Sequence, residues 1–316
     1  TRRSSDLLEV GESAIAYRSP EAMKAIVSRL EEAWKTAGAA SGDKPPAALP
    51  FMRGMISRAL HQLALYVGQE QAAAAWMGRR GCALQASVVG PLDWAVIHSL
   101  EVPSPIVATE PFPAKVAGIA PFAAAVTPVV AEADACDLET RGQNFLQGSR
   151  VLVVDIESPR AQRVSVAFTS SAAAAVAVGG VPVLQRSFDA GGGPTLRLGA
   201  VDVPEGWSRV IVRVARRGDG DRVELDLFGD DGERLRSRAP KAGDVAPGRG
   251  SNPEAIELRP ASKSDASVVL AASALLGLGE SRAAEHLVEP SSVAAAAQAA
   301  PPSRGPMTSC PCSSPA

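Results

Sequence analysis

Between residues 151 and 233 the chain alternates apolar and polar side chains with a period of two, as half-buried strands do. Val151-Leu152-Val153-Val154-Asp155-Ile156 reads as one strand, and Val164, Val166 and Phe168 alternate with Ser165 and Ala167 in a second. Residues 175–178 lead into Gly179-Gly180, a two-residue hairpin turn, and 181–186 returns from it. Leu196 and Leu198 open a strand that continues to Val203, and Pro204-Glu205-Gly206-Trp207 turns the chain. Val210, Val212 and Val214 then alternate with Ile211, Arg213 and Ala215. After the turn Gly218-Asp219-Gly220-Asp221, Val223, Leu225 and Leu227 alternate with Glu224, Asp226 and Phe228, and Asp230-Asp231-Gly232 closes the run. About seven short strands with turn chemistry between them predict an antiparallel β-sandwich or jelly roll.

The flanks carry a helical period instead. Ser19-Pro20-Glu21 combines an N-cap serine, a proline at the first helical position and an acid near the positive dipole end. The helix it starts is expected to run to about residue 37 and stop at Gly38, with Ile26, Leu30 and Trp34 on one stripe. Residues 40–50 read as a linker. A second helical unit, 51–77, places Met52, Ile56, Leu60 and Leu63 on one face and breaks at Gly68, which predicts a helical hairpin. A further hairpin is expected over 265–289, broken at Gly279. Aligned on their glycines, the two match Leu65 with Leu276, Val67 with Leu278, Ala73 with Ala284 and Trp76 with Leu287. The prolines between Pro91 and Pro128 argue against long helices there and favour short extended pieces at 85–89 and 126–130 with irregular connections. Residues 243–253 read as a Gly/Pro linker.

The glycine-centred hairpins, most clearly Leu276-Gly277-Leu278-Gly279-Glu280 followed by Ala284 and Leu287, resemble the tetratricopeptide repeat over about 25 residues each. Residues 175–184, and the turn and strand from Pro204 to Val214, are similar to parts of galactose-binding-like jelly-roll modules of large bacterial surface proteins. Gly90-Pro91-Leu92-Asp93 is similar to the Gly-Pro-Phe-Asp that opens such modules, so this resemblance extends over 88–233. It implies a sandwich that binds carbohydrate or, as in many such modules, nothing known. Bacterial chains of this mixed kind sometimes continue into a transglutaminase-like or protease-like domain.

Composition narrows the partners. A net charge of −2 and a pI near 6.0 give no electrostatic reason to expect nucleic acid or an anionic membrane. No window reaches the roughly 18 uncharged apolar residues of a transmembrane helix. Abundant Ala, Gly, Pro, Val and Arg, with 4% aromatics, fit translation from a GC-rich bacterial genome. Thr1-Arg2-Arg3-Ser4-Ser5-Asp6-Leu7 resembles a translated sequencing-library adapter, so native sequence is expected to start near Leu8 within a longer protein. The compartment stays open, with cell envelope and cytoplasm both compatible. The low-complexity tail 291–316 is expected to be disordered or read out of frame.

Candidate chemistry is sparse. Cys82 with His61 or His98 could form a thiol–imidazole pair, but no nucleophile motif surrounds Cys82, which reads as a small buried thiol. The four cysteines (Cys82, Cys136, Cys310, Cys312) do not suggest a disulfide framework for a chain of this size. The three histidines His61, His98 and His286 lack metal-ligand spacing, and Cys310-x-Cys312 supplies only two ligands. There is no P-loop, G-x-S-x-G or H-E-x-x-H, and no cofactor is implied. Arg216-Arg217 and Arg234/Arg236/Arg238 read as solvated strand edges. Asp219 and Asp221, with Asp230 and Asp231, could offer oxygens to Ca²⁺, although hairpin turns want Asp-Gly in any case. Trp207 could stack on a sugar face or plug the sandwich end. The candidate ligand-binding residues are therefore Trp207, Asp219 and Asp221.

The expected fold class is α+β and multidomain, with tetratricopeptide-repeat-like helical hairpins flanking an antiparallel β-sandwich or jelly roll. The segments are 1–7 (adapter or disordered), 8–80 (helical), 81–236 (sandwich, core 151–233), 237–262 (linker), 263–290 (hairpin) and 291–316 (tail). The expected function is a non-catalytic scaffold that binds a protein partner through helical repeats. The alternatives are a carbohydrate-binding module, with a glycan as partner, or the non-catalytic front of a thiol enzyme.

Overall fold

The computed structural model describes residues 27–28, 30–32, 34–35, 49–66, 68–92, 100, 104–118, 125–133, 136–138, 148–186, 195–216 and 223–256. Its elements are α1 (Leu49–Tyr66), α2 (Glu70–Arg79), β1 (Gln85–Val89), β2 (Val129–Glu132), β3 (Gly148–Ser158), β4 (Gln162–Ser170), β5 (Ala173–Val178), β6 (Val181–Arg186), β7 (Thr195–Val203), β8 (Gly206–Arg216), β9 (Val223–Phe228), β10 (Arg236–Arg238) and β11 (Ser251–Ala255). All the strand pairings are antiparallel. One sheet runs β2-β1-β3-β8-β5-β6, with β10 beside the second half of β3, and the other runs β11-β7-β4-β9.

The two-residue period decides how the sheets meet. Leu152, Val154 and Ile156 of β3 share an inner face with Val210, Val212 and Val214 of β8 and Ala174, Val176 and Val178 of β5. Against them pack Val164, Val166 and Phe168 of β4, Val201 and Val203 of β7, and Val223, Leu225 and Leu227 of β9. These side chains form the core of a β-sandwich. At the β5–β6 turn Gly179 and Gly180 both take positive φ, 56° and 84°, as a type I′ hairpin requires. A Cβ on Gly179 would also meet the backbone nitrogen of Gly250 at 2.1 Å, so only glycine fits there. The Gly/Pro-rich stretch after Gly243 runs across this turn and enters β11, which pairs with β7.

Both outer faces are covered in part. On the larger sheet Val151, Val153 and Ile211 pack under Ile106, Ala108, Phe112 and Val116 of the proline-rich segment. On the smaller sheet the outward Phe228 meets α1, where a Cβ on Gly54 would fall 2.5 Å from its ring. The helices have their own small core of Leu30, Ile56, Ala59, Leu60, Leu63 and Trp76. The chain is thus layered: loops, large sheet, small sheet, helices.

The expected fold class of repeating helical hairpins around a sandwich is overturned. The protein is mainly β, and among the described residues the helical stretches are part of 27–35, α1 and α2. The glycine that suggested a repeat has a local cause: Gly68 adopts φ 70° just past the end of α1, the left-handed position that terminates helices, and nothing lies within 4 Å of a Cβ built on it. The hairpin is docked on the small sheet through α1. Residues 265–289 lie outside the described residues.

Candidate functional site

The polar positions of β9 alternate outward, away from the sandwich core, yet Glu224 and Asp226 are both 0% exposed. They are covered by the hairpin, which brings Arg58 from α1 and Arg80 from the end of α2 onto them. Arg58 pairs with Glu224 at 2.6 Å and with Asp226 at 2.7 Å, and donates to Thr169 Oγ1 at 3.0 Å. Arg80 donates through Nε to Asp226 Oδ1 at 2.8 Å and through Nη2 to Glu224 Oε2. Two cations meet two carboxylates in a water-excluded seam, so the formal charge cancels. Removing an ion this deeply buried from water costs several kcal/mol, which only paired geometry of this kind offsets.

His61, one turn beyond Arg58 on α1, faces the same seam, with Nδ1 3.3 Å from Arg80 Nη1. Burial first, and the Arg80 charge second, lower its pKa from 6.5 to about 4. Burial alone would raise the Asp226 carboxyl, but the charges and hydrogen bonds of Arg80 and Arg58 hold it below its ordinary 3.8. Both folded pKa values are depressed, so the unfolded chain takes up these protons first and stability falls with falling pH. The His61 contribution is complete above pH 6.5 and is lost between pH 6.5 and about 4, and the Asp226 contribution is lost below about 3.8. Urea unfolding from pH 7 to pH 3 should therefore show two acid limbs, of which His61→Gln removes the upper one.

A second buried charge pair lies on the outer face of the large sheet. Asp155 of β3 and Arg209 of β8 are direct cross-strand partners, joined at 2.8 Å, and both are 0% exposed. Arg209 also donates to the backbone carbonyls of Glu110 at 2.7 Å and Asp244 at 2.9 Å, clamping two loops onto the sheet. Trp207 is two positions along β8 from Arg209, opposite Glu157. The Arg238 guanidinium from β10 reaches over β3 to 4.1 Å from the Trp207 ring centre, with Arg236 at 5.9 Å. A cation over an indole face is itself a favourable arrangement. Arg236 and Arg238 belong to β10, which pairs with β3, and their side chains are exposed.

Trp207 is half-buried on the outer face of the large sheet, and Asp219 and Asp221 lie outside the described residues. Asp230 pairs with Arg160, and Asp231 accepts from the backbone of Glu233 within its own turn. Cys82 is buried but is not a thiol, because it forms a disulfide with Cys136, and His61 is committed to the ionic seam. His98, His286, Cys310 and Cys312 lie outside the described residues. Among the described residues no group of three or more His, Cys, Asp or Glu could hold a metal ion, and no helix is long and apolar enough to cross a membrane. The ionic seam itself was missed by the sequence reading. Its signal was present in β9, where Phe228 sits in an outward position and so announces a covering layer.

No protein-family model matches the chain, and no curated protein matches it. Among solved structures it is similar to a β-glucosidase from Kluyveromyces marxianus in complex with glucose, at 8% identity and a TM-score of 0.27. That match covers 33% of this chain and spans 14% of the other, and a likeness at that level carries no functional inference.

Proposed function

We propose that the chain is a non-catalytic scaffold segment of a larger bacterial protein, with the galactose-binding-like sandwich acting as a stiff spacer. One observation carries this reading: six deeply buried charges, Arg58, Arg80, Glu224, Asp226, Asp155 and Arg209, pin layers and loops to one another. An enzyme site typically aims such perturbed groups into a cleft. A spacer needs helices, sheets and covering loops to respond as a single unit, and charge pairs between layers supply that coupling.

Hydrogen exchange of the whole chain under mild denaturant tests it. Amides of α1, β3, β4 and β8 should open together with one free energy. Separate opening of α1, well below the sandwich, would remove the spacer reading. A glycan-binding role would require Trp207 to give up the ring face that Arg238 holds. On a glycan array neither the wild type nor Trp207→Ala is expected to bind, and saccharide binding by the wild type that Trp207→Ala abolishes would replace the spacer with a lectin.

A further inference from the structure

We infer that this protein folds in an oxidising compartment outside the reducing cytoplasm, where a disulfide-carrying thiol oxidase closes Cys82–Cys136. Both cysteines are 0% exposed. Cys82 sits in a β-bridge with Asp226 on the outer edge of β9, flanked by Leu227 donating to the Gly81 carbonyl and Ala83 donating to the Leu225 carbonyl, each at 2.8 Å. The Cys136 side is fastened to the same edge. Leu138 donates to the Val223 carbonyl at 2.8 Å, and the Asp137 carboxylate accepts from the Val223 amide at 3.0 Å. The bond therefore fastens two straps over an edge strand that would otherwise offer unpaired backbone groups. Cys136 is held at φ 74°, a region that residues other than glycine seldom occupy unless their surroundings fix them there.

Burial sets the timing. No oxidase can reach sulfurs with no exposed surface, so the bond must close while the straps are still open. One cysteine thiolate attacks the oxidase disulfide to give a mixed disulfide, and the other then displaces the oxidase thiolate. The two thiols together give up two protons and two electrons, and the oxidase leaves as its dithiol. Such oxidants act in the periplasm or beyond, whereas the cytoplasm keeps thiols reduced.

The test is to produce the full chain in one bacterial host, either retained in the cytoplasm or directed to the periplasm by an added export signal. Each product is denatured in iodoacetamide and its cysteine peptides are mapped. The exported chain should yield Cys82 and Cys136 in one linked peptide and resist protease at least tenfold longer than the cytoplasmic chain. Cys82→Ala/Cys136→Ala should lose that difference between compartments. Alkylated Cys82 and Cys136 in the exported chain, or equal protease resistance of the wild type from both compartments, would overturn the inference. The wild-type peptide map decides the matter even if the double variant fails to fold.

Discussion

Replacing Asp226 with alanine is expected to destabilise the fold by about 3–5 kcal/mol, the usual penalty for removing one partner of a buried ion pair. Asp226 receives both Arg58 and Arg80, which are 3% and 1% exposed at their side chains. Without it, two guanidinium groups share Glu224 alone, and a net positive charge is left in a seam that water does not reach. The reading is the shift in guanidinium midpoint at unchanged slope. The loss should come with earlier exchange of α1 amides, because the seam joins α1 to β9. Replacing all four charges by apolar residues of similar volume should recover most of the loss, since the cost comes from the uncompensated ion and not from missing attraction. If Asp226→Ala shifts the midpoint by less than 1 kcal/mol, water enters the seam and the pairs do not hold the layers together.

Strand existence was legible because a two-residue period reports which side chains share a face. Residues 151–156, 181–186 and 210–214 fall in β3, β6 and β8, and Gly179-Gly180 turns as expected. What the period cannot report is what lies over the other face. Glu224, Asp226, Asp155 and Arg209 look like solvent-facing positions, and all are buried by elements distant in sequence. The layers that cover them come from α1 and from the proline-rich segment, and no local pattern predicts such contacts. The repeat reading failed for a related reason. A glycine followed by a small residue marks any tight helical hairpin, and only the surface on which the hairpin docks separates a repeat from a single covering layer. β11 is also hard to read, because Ser251–Ala255 lacks an apolar alternation and pairs with β7 along an exposed edge.

Removing the disulfide should cost about 4 kcal/mol on the chain-entropy model for a loop of this length. The two cysteines are 54 residues apart, so the unfolded chain without the bond regains the freedom of a long loop. Oxidised wild type and Cys82→Ala/Cys136→Ala, compared by guanidinium unfolding, give this figure directly. The slope should rise in the variant, because its unfolded chain exposes more surface. The effect should not add simply to that of Asp226→Ala. Cys82 and Asp226 occupy the same β-bridge, so the strap and the ionic seam anchor the same stretch of β9 from adjacent positions. Once the strap is loose, Arg80, two residues before Cys82, loses part of what aims it at Asp226. The triple variant should therefore lose less than the sum of its parts, with a coupling of roughly 0.5–3 kcal/mol. Strict additivity would mean that strap and seam act on β9 independently.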